Sequence, residues 1–397
     1  MIAYFTADII CLSPIKIGSG KNENTDMDVL VDSDNKPFIP GTTLAGICRH
    51  FLASEAYTDV IFGGIKDNGH FDKSLINFYD AEMIGASLIT LRDGVHLADD
   101  RTVFAGGKWD YEIVEAGCSF RFRISFTVPV GVDYNDILSR IILGFKKGDI
   151  RIGGKTTRGF GRVAMENPKY KLYMLPEDLE QYIDFKWSDI TEEYIPREID
   201  TTQYIRLRVQ FELVSFLFIR NQLTLAVDPY NDNKAIDAEQ LKDNFNRPVI
   251  PGTAWAGVFR HHFRKVLNKV NNEHADQLIN EVFGYVDEGA KGKSISKIIF
   301  AESRIEKSHF LNRTRNAIDR FTGGAGDKKL FTTRPAYQGQ GKLEILLHKN
   351  TPNIELVKSL IAVCIDDFND GLLTVGGEAS TGGGLIKINR EGALTWT

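Results

Sequence analysis

The stretch Lys36-Pro-Phe-Ile-Pro-Gly-Thr-Thr-Leu-Ala-Gly-Ile-Cys-Arg49 occurs a second time, 211 positions later, as Arg247-Pro-Val-Ile-Pro-Gly-Thr-Ala-Trp-Ala-Gly-Val-Phe-Arg260. Eight of the 14 paired positions are identical. A glycine-rich stretch is repeated too, as Gly148–Gly161 and Gly371–Gly384, and the shorter pair Phe78–Glu82 and Ile298–Glu302 lies between. Three matches in one order indicate a duplicated domain with insertions.

Each copy shows the same order of predicted elements. A strand leads through an acidic loop to Pro-Gly-Thr, which begins a helix that Thr42 or Thr43 can cap. Residues 120–126 alternate apolar and polar side chains, as a half-buried strand does. A second helix precedes the glycine-rich stretch and a last strand. The first strand is predicted at 2–17 and about 203–219, and the second helix at about 134–147 and about 353–368.

The order β-α-β-β-α-β predicts an α+β protein of two tandem ferredoxin-like domains. We expect the first domain at 1–170, a connector at 171–200 and the second domain at 201–397. Residues 177–200 contain nine acidic residues but also several aromatic ones. We therefore expect a packed connector with an acidic outer face.

The composition fits a folded globular protein. The chain has 397 residues, is 43% hydrophobic and 25% charged, and carries a net charge of -5. These values exclude a disordered, collagen-like or disulfide-scaffold chain. Its four cysteines form no CxxC pair and no zinc-spaced cluster, which predicts buried thiols in a reducing compartment. The N-terminus lacks signal-peptide features and the apolar runs are too short to span a bilayer, so we expect a cytoplasmic protein without a membrane partner.

The glycine-rich stretches do not fit a nucleotide-binding P-loop. That motif needs glycine where Asp149 stands, and the second copy has Glu378 in place of Lys155. Glycines between two strands allow backbone N–H groups to approach a sugar-phosphate strand. Tight turn packing is the alternative. The predicted RNA-binding residues in these loops are Gly153, Gly154, Lys155, Arg158, Gly376 and Gly377.

Basic residues are concentrated locally despite the negative total charge. Residues 146–162 hold six basic residues against one acid, and residues 313–334 hold six against two. A third cluster covers 260–269. Each adjoins a duplicated motif, which favours a groove that follows RNA phosphates. The further predicted RNA-binding residues are Arg49, Arg260, His261, Arg315 and Arg320.

These motifs resemble the repeat-associated mysterious protein (RAMP) superfamily, and within it the backbone subunit of type III CRISPR effector complexes. The resemblance rests on Pro-Gly-Thr-x-x-x-Gly-x-x-Arg, the glycine-rich loops and Arg315-Asn-Ala-Ile-Asp-Arg-Phe-Thr-Gly-Gly-Ala-Gly-Asp-Lys-Lys-Leu-Phe331. The first copy keeps only fragments of the last segment, at 95–108. The chain is thus similar to a tandem fusion of two backbone subunits.

The resemblance implies modified RNA-recognition-motif folds that hold guide RNA, each with an inserted hairpin, the thumb, that interrupts the guide–target duplex. By position the thumbs lie at about 88–112 and 306–336. Apolar thumb side chains can act as wedges between unstacked bases. Core packing is the alternative role. The candidate wedges are Phe104, Trp109, Phe321 and Leu330.

The resemblance also implies an aspartate before Pro-Gly that cuts target RNA. Asp26 and Asp237 each lie 15 residues before the glycine of that motif. RNA supplies its own 2′-OH nucleophile, so positioning plus proton transfer or a metal suffices. We expect both aspartates to bind a divalent cation, Mg or Mn. A solvated acidic loop is the alternative for each, and EF-hand spacing fails after Asp26, with Pro37 where glutamate is needed.

Three functions follow from these patterns. The first is a backbone subunit of a type III-like effector, which binds guide RNA and other subunits and cleaves complementary target RNA at two sites. The second is a non-catalytic RNA-binding subunit of such a complex. The third is a guide-processing ribonuclease that depends on a histidine, either His50 or His261.

Overall fold

The computed structural model describes residues 1–18, 27–55, 57–65, 71–97, 103–221, 227–228, 231–270, 273–286, 292–390, 392 and 394–397. It divides into two compact units. The first comprises Met1–Leu91, Asp110–Thr156 and Phe160–Gln203, and the second comprises Arg92–Trp109, Thr157–Gly159 and Tyr204–Thr397.

The first copy of the repeat forms four helices and eleven strands among its described residues. The helices are α1 (Gly41–Phe51), α2 (Thr58–Phe62), α3 (Tyr134–Lys147) and α4 (Leu179–Ile183), with 3-10 turns at Thr156–Arg158 and Trp187–Asp189. The strands are β1 (Ile2–Cys11), β2 (Phe38–Ile39), β3 (Gly64–Ile65), β4 (Phe71–Asp72), β5 (Ile76–Phe78), β6 (Ala81–Ile84), β7 (Ile89–Leu97), β8 (Val103–Val114), β9 (Ser119–Thr127), β10 (Val163–Tyr173) and β11 (Glu192–Glu193).

The second copy forms three helices and sixteen strands among its described residues. The helices are α5 (Gly252–Lys269), α6 (Ala275–Phe283) and α7 (Ile354–Asn369), with a 3-10 turn at Ala379–Thr381. The strands are β12 (Tyr204–Leu213), β13 (Arg220–Asn221), β14 (Val227–Asp228), β15 (Asn231–Ala235), β16 (Ala238–Gln240), β17 (Val249–Ile250), β18 (Tyr285–Val286), β19 (Lys293–Ser294), β20 (Ile298–Phe300), β21 (Ser303–Arg304), β22 (His309–Phe310), β23 (Arg313–Ile318), β24 (Ala325–Arg334), β25 (Ala336–Tyr337), β26 (Gln340–His348) and β27 (Ile386–Ile388).

Both central sheets are antiparallel and have the ferredoxin-like strand order. In the first unit the order is β11-β10-β1-β9-β6-β2, and β5 also pairs with β9. In the second unit the order is β20-β26-β12-β27. The predicted fold class, two α+β ferredoxin-like domains in tandem, is confirmed.

Each sheet buries one face against its two long helices. In β9 the alternating residues Phe120, Phe122, Ile124 and Phe126 are all buried, as the pattern predicts. Phe122 lies 6.1 Å from Phe145 of α3, ring centre to ring centre. In the second unit Trp255 of α5 packs edge-on against Phe211 of β12 and Phe368 of α7. Burial of these apolar faces holds the helices on the sheets.

The first strand of each copy ends earlier than predicted, at Cys11 and Leu213 rather than at 17 and 219. The amides of Leu12 and Ser13 both donate to the carbonyl of Arg162, and those of Val214 and Ser215 both donate to the carbonyl of Leu385. Two successive amides on one acceptor break the ladder, so the chain leaves the sheet here in both copies.

The helix beginning at Pro-Gly-Thr is confirmed in both copies, but the predicted threonine cap is wrong. Neither helix has a side-chain hydrogen bond from its N-cap residue, which is Pro40 in α1 and Pro251 in α5. In α1 the amide of Gly41 donates instead to the carboxylate of Asp80, at 2.7 Å. An acid from a neighbouring loop thus satisfies one of the unpaired amides at the helix start.

The segment after β10 packs against the first sheet through its aromatic side chains. Phe185 stacks on Tyr4 of β1 with 3.9 Å between ring centres, and Trp187 lies 5.2 Å from Tyr79. Tyr194 is buried and its hydroxyl donates to the carbonyl of Asn135 at 2.9 Å. Most acidic residues of the segment are exposed. The connector is therefore part of the first unit's packed structure.

Two long hairpins occupy the positions predicted for thumbs. Strands β7 and β8 form the first thumb, and β23 and β24 form the second thumb.

All four cysteines are buried and unpaired, as expected. No helix among the described residues has the length and apolar character needed to cross a membrane.

Candidate nucleic-acid interface

Asp237 lies at the base of the second thumb. Its backbone amide donates to the carbonyl of Thr332 at 3.0 Å, and its carboxylate Oδ2 accepts from the amide of Thr332 at 2.7 Å. The next residue, Ala238, begins β16, which runs parallel to β24 with Ala238 opposite Thr333. The Asp237 side chain is exposed. The candidate catalytic residue and the thumb strand, 95 positions apart in the chain, are thus held together.

The acidic side chains near Asp237 and their counterpart in the first copy form hydrogen bonds within turns or ion pairs with basic residues. Asp243 is buried and accepts from the amides of Phe245 and Arg247 as well as from the Arg247 guanidinium. Its counterpart Asp32 accepts from two amides of its own turn. Glu239 is buried and lies 2.9 Å from the ammonium of Lys242. Among the acids of this loop whose side chains the structure describes, Glu239 and Asp243 are buried and Asp237 is exposed beside the thumb.

Asp26 lies outside the described residues. Met27, directly after it, accepts a hydrogen bond from the amide of Glu112 in β8 at 3.0 Å. The Glu112 carboxylate accepts from the amide of Val29 at 2.9 Å. The loop that follows Asp26 is therefore bound to the first thumb, as the loop of Asp237 is bound to the second.

The two glycine-rich loops share one backbone structure. The amide of Gly154 donates to the carbonyl of Lys16 at 2.8 Å, and that of Gly377 donates to the carbonyl of Phe218 at 2.7 Å. Gly153 has φ +83, and a Cβ there would lie 2.3 Å from the oxygen of Lys16. Glycine is required at this position because a side chain would collide with backbone. The amides of Gly154 and Gly377, which were predicted to face RNA, thus bind carbonyl groups of the protein instead.

The residue after these glycines differs in charge between the copies. Lys155 and Glu378 are both left-handed, at φ 56 and φ 60. The Lys155 ammonium lies 3.5 Å from the centre of the Tyr111 ring in β8, and the Lys16 ammonium lies 4.5 Å from the same ring. Burial lowers the pKa of Lys16. Sequence reasoning missed Lys16, which joins Lys155 in a cationic site on an aromatic face.

In the second copy Glu378 binds the thumb. Its carboxylate lies 3.2 Å from Arg313 and also contacts Arg315, both in β23. The Glu378 side chain is only 12% exposed, and the guanidinium of Arg313 lies 4.3 Å from the Phe216 ring centre. Arg315, predicted to bind RNA, is therefore paired with the glutamate that stands in the place of Lys155.

Two other predicted RNA-binding arginines, Arg158 and Arg260, belong to the second unit. Burial lowers the pKa of the Arg158 guanidinium, and the charge of Arg260 lowers it further. Arg260 also donates to Asn280 of α6 at 3.4 Å. His261, next to Arg260 in α5, is half-buried.

The other predicted basic residues are Arg49 and Arg320. Arg49 is exposed and lies 3.4 Å from the carboxylate of Asp59. Arg320 is exposed in the turn of the second thumb. His261 is one of the two histidines proposed for a processing enzyme. The next residue, His262, is buried, and its Nε2 lies 2.5 Å from the carboxylate of Asp367 in α7.

The candidate wedges differ in exposure. Phe321 is fully exposed at the tip of the second thumb, and Leu330 is 64% exposed in β24. Trp109 is 37% exposed and lies flat against Gly94 of β7, where a Cβ would be 2.2 Å from the indole. The side chain of Phe104 lies outside the described residues. Both candidate wedges of the second thumb are thus accessible, as is Ile318 of β23.

Asp319 shapes the turn that presents Phe321. Its carboxylate accepts from the amides of Phe321 and Thr322, each at 2.9 Å, and from the Thr322 hydroxyl. Hydrogen bonds from Thr322 and Phe321 lower the pKa of Asp319. This residue belongs to the Ile-Asp-Arg-Phe-Thr-Gly motif, so the motif contains its own turn-forming acid.

A divalent cation is compatible with the Asp237 carboxylate. Mg and Mn prefer oxygen ligands, and Mg is often held by one or two carboxylates together with substrate phosphates and water. Within the described ranges, His, Cys, Asp and Glu form no cluster of three that could hold a metal. Among the described residues, Asp237 is therefore one carboxylate of such a site, and a cation there would take further oxygen ligands.

The chain matches one protein family over both copies. The family model of the RAMP superfamily matches residues 8–164 and again 210–387, which together exceed half of the chain. No curated protein matches the chain. Both matched regions contain a ferredoxin-like sheet, a Pro-Gly helix start and a glycine-rich loop. The chain therefore belongs to the RAMP superfamily and is a CRISPR-associated RNA-binding protein.

Proposed function

We propose that this protein is the guide-RNA-binding backbone subunit of a type III-like CRISPR effector and cleaves complementary target RNA at two sites, beside its two thumbs. The observation that carries the proposal is the pair of hydrogen bonds between Asp237 and Thr332. They hold an exposed carboxylate at the base of a hairpin whose tip presents Phe321. Its RNA partners are the guide and the target, and its protein partners are other effector subunits.

Each part of the second site has a chemical role. Phe321 and Leu330 offer apolar surface to unstacked bases, which opens the strand for in-line attack. The 2′-OH forms a bond to phosphorus while the bond to the 5′ oxygen breaks. The Asp237 carboxylate, oriented by the Thr332 amide, can accept the 2′-OH proton, and the departing oxygen takes a proton from water.

Asp26 and Asp237 would hold a divalent cation, which supplies positive charge for the phosphate oxygens when it is bound. The cationic residues of the first copy, Lys16 and Lys155, supply phosphate contacts from the protein itself. These contacts position the strand without reading its sequence.

The test is the cleavage pattern of the assembled complex with Asp26→Ala, Asp237→Ala and, as the matched surface change, Asp184→Ala at an exposed aspartate of the connector. Each aspartate variant should lose one of two cuts, keep the other and bind target RNA as before. Chelation with EDTA should abolish both cuts and preserve binding. An unchanged pattern in both aspartate variants would show that this is a non-catalytic subunit.

A further inference from the structure

The two glycine-rich loops meet their thumbs through opposite charges. In the first copy, Lys155 adds a second ammonium group to the Tyr111 ring beside Lys16. In the second copy, Glu378 occupies the same left-handed position and faces two guanidinium groups of β23. The loops share their backbone hydrogen bonds, so the difference lies in the side chains.

The ion pairs of Glu378 are largely shielded from solvent. The glutamate is nearly buried, and Arg313 lies between its carboxylate and the face of the buried Phe216 ring. Arg313 and Arg315 alternate along β23, so both reach the same side of the hairpin. A carboxylate shared by two arginines at low exposure is stronger than a surface ion pair.

We propose that Glu378 is a positioning residue that anchors the second thumb and withholds Arg313 and Arg315 from RNA phosphates. Glu378 binds Arg313 of β23, and Asp237 accepts a hydrogen bond from Thr332 of β24, so both strands of the thumb are fastened at the base. The two copies are then unequal: the first glycine-rich loop contributes positive charge for RNA, and the second holds its thumb. This inference rests on the proposed function for its RNA contacts alone.

The anchor is tested without RNA by limited trypsin digestion of the full chain, with cut sites mapped by mass spectrometry. Glu378→Gln removes the charge at constant size. Cutting between residues 313 and 334 should become about tenfold faster, because charge-assisted hydrogen bonds are lost and cleavage follows the open population. Glu355→Gln, which removes an exposed acid paired with Lys358, should cut at the wild-type rate. Equal rates in wild type and Glu378→Gln overturn the proposal.

The partners are tested by repeating Glu378→Gln in an Arg313→Gln/Arg315→Gln background. If Glu378 acts through these arginines, the change should add no further acceleration there. A full additional effect in that background overturns the proposal even if a variant is partly destabilised.

The charge role is tested by single-stranded RNA affinity against salt concentration. Glu378→Gln should free Arg313 and Arg315 to contact RNA phosphates. Each new phosphate contact makes the slope of log K against log salt more negative by about 0.7, so the two together should change it by about 1.4. Glu378→Lys should add about 2.1 in the same direction. An unchanged slope in both variants overturns the proposal. A wild-type chain that binds no RNA contradicts the proposed function instead, and the digestion still decides the anchor.

Discussion

The carboxylate of Asp237 and the backbone amide of Thr332 form a 2.7 Å hydrogen bond that joins the acidic loop to the second thumb. A second bond runs the other way, from the Asp237 amide to the Thr332 carbonyl at 3.0 Å. The two bonds fasten the loop to the hairpin, so a strand lying along the thumb base would meet this exposed carboxylate.

The charge and the hydrogen bond of Asp237 can be separated. Asp237→Asn keeps an acceptor for the Thr332 amide, so the free energy of unfolding should change by less than about 0.5 kcal/mol. Asp237→Ala removes the acceptor and should cost about 1 kcal/mol. Both should abolish the cut at the second thumb. Denaturant unfolding and product mapping check this, and a fully active Asp237→Asn would contradict a role for the charge.

Phe321 should matter for RNA and not for stability. Its side chain is fully exposed, so Phe321→Ala should leave the free energy of unfolding within about 0.5 kcal/mol of wild type. Loss of the wedge should slow cutting at the second thumb and leave the first unaffected. Rates measured at both sites in one reaction provide the control; equal rates at both in the variant would exclude the wedge.

The second unit contains a buried ion pair, and removing one partner should lower the free energy of unfolding. Arg92 and Glu302 approach to 3.7 Å with side chains only 4% and 3% exposed. Glu302→Gln leaves the guanidinium buried without its countercharge, which should cost about 3 to 5 kcal/mol. Urea unfolding measures this. Glu344 lies between two arginines at 13% exposure, and Glu344→Gln offers a less buried comparison that should cost less.

The turn of the second thumb should loosen in acid. Hydrogen bonds from Thr322 and Phe321 hold the pKa of Asp319 below its ordinary value of 3.8. A depressed pKa contributes order that is present above the unfolded-state value and is lost as pH falls through the folded-state value. Exchange of the Phe321 and Thr322 amides, corrected for intrinsic rates, should therefore lose protection below about pH 4. In Asp319→Asn this pH step should be absent; a step that persists would assign it to another group.

The local sequence predicts much of the architecture. Helix α3 spans Tyr134–Lys147 as predicted, because Asp133 accepts from the amides at its start and Gly148 is left-handed at its end. Both Pro-Gly helix starts and both thumb hairpins lie where the motifs indicate. Helix periodicity, cap residues and turn residues act over a few positions, so one chain suffices to find them.

The candidate site is only partly readable from the sequence. The family resemblance and the repeat spacing together select Asp237 as the candidate acid, and they name Phe321 as a candidate wedge with core packing as its alternative. The same repeat cannot indicate that Lys16 joins Lys155 on the Tyr111 ring, since nothing in the spacing relates these three positions.

The repeats and motifs indicate a duplicated RAMP protein with two ferredoxin-like units, and they predict the Pro-Gly helix starts, the second helix of each copy and the approximate positions of the thumbs. Which charges meet depends on how the segments pack in the folded protein. Glu378 pairs with arginines 63 and 65 positions away, and Asp80, not a threonine, serves the amide of Gly41 from 39 positions away. Hydrophobic periodicity records where a chain is buried, whereas an ion pair depends on which segments folding brings within a few ångströms.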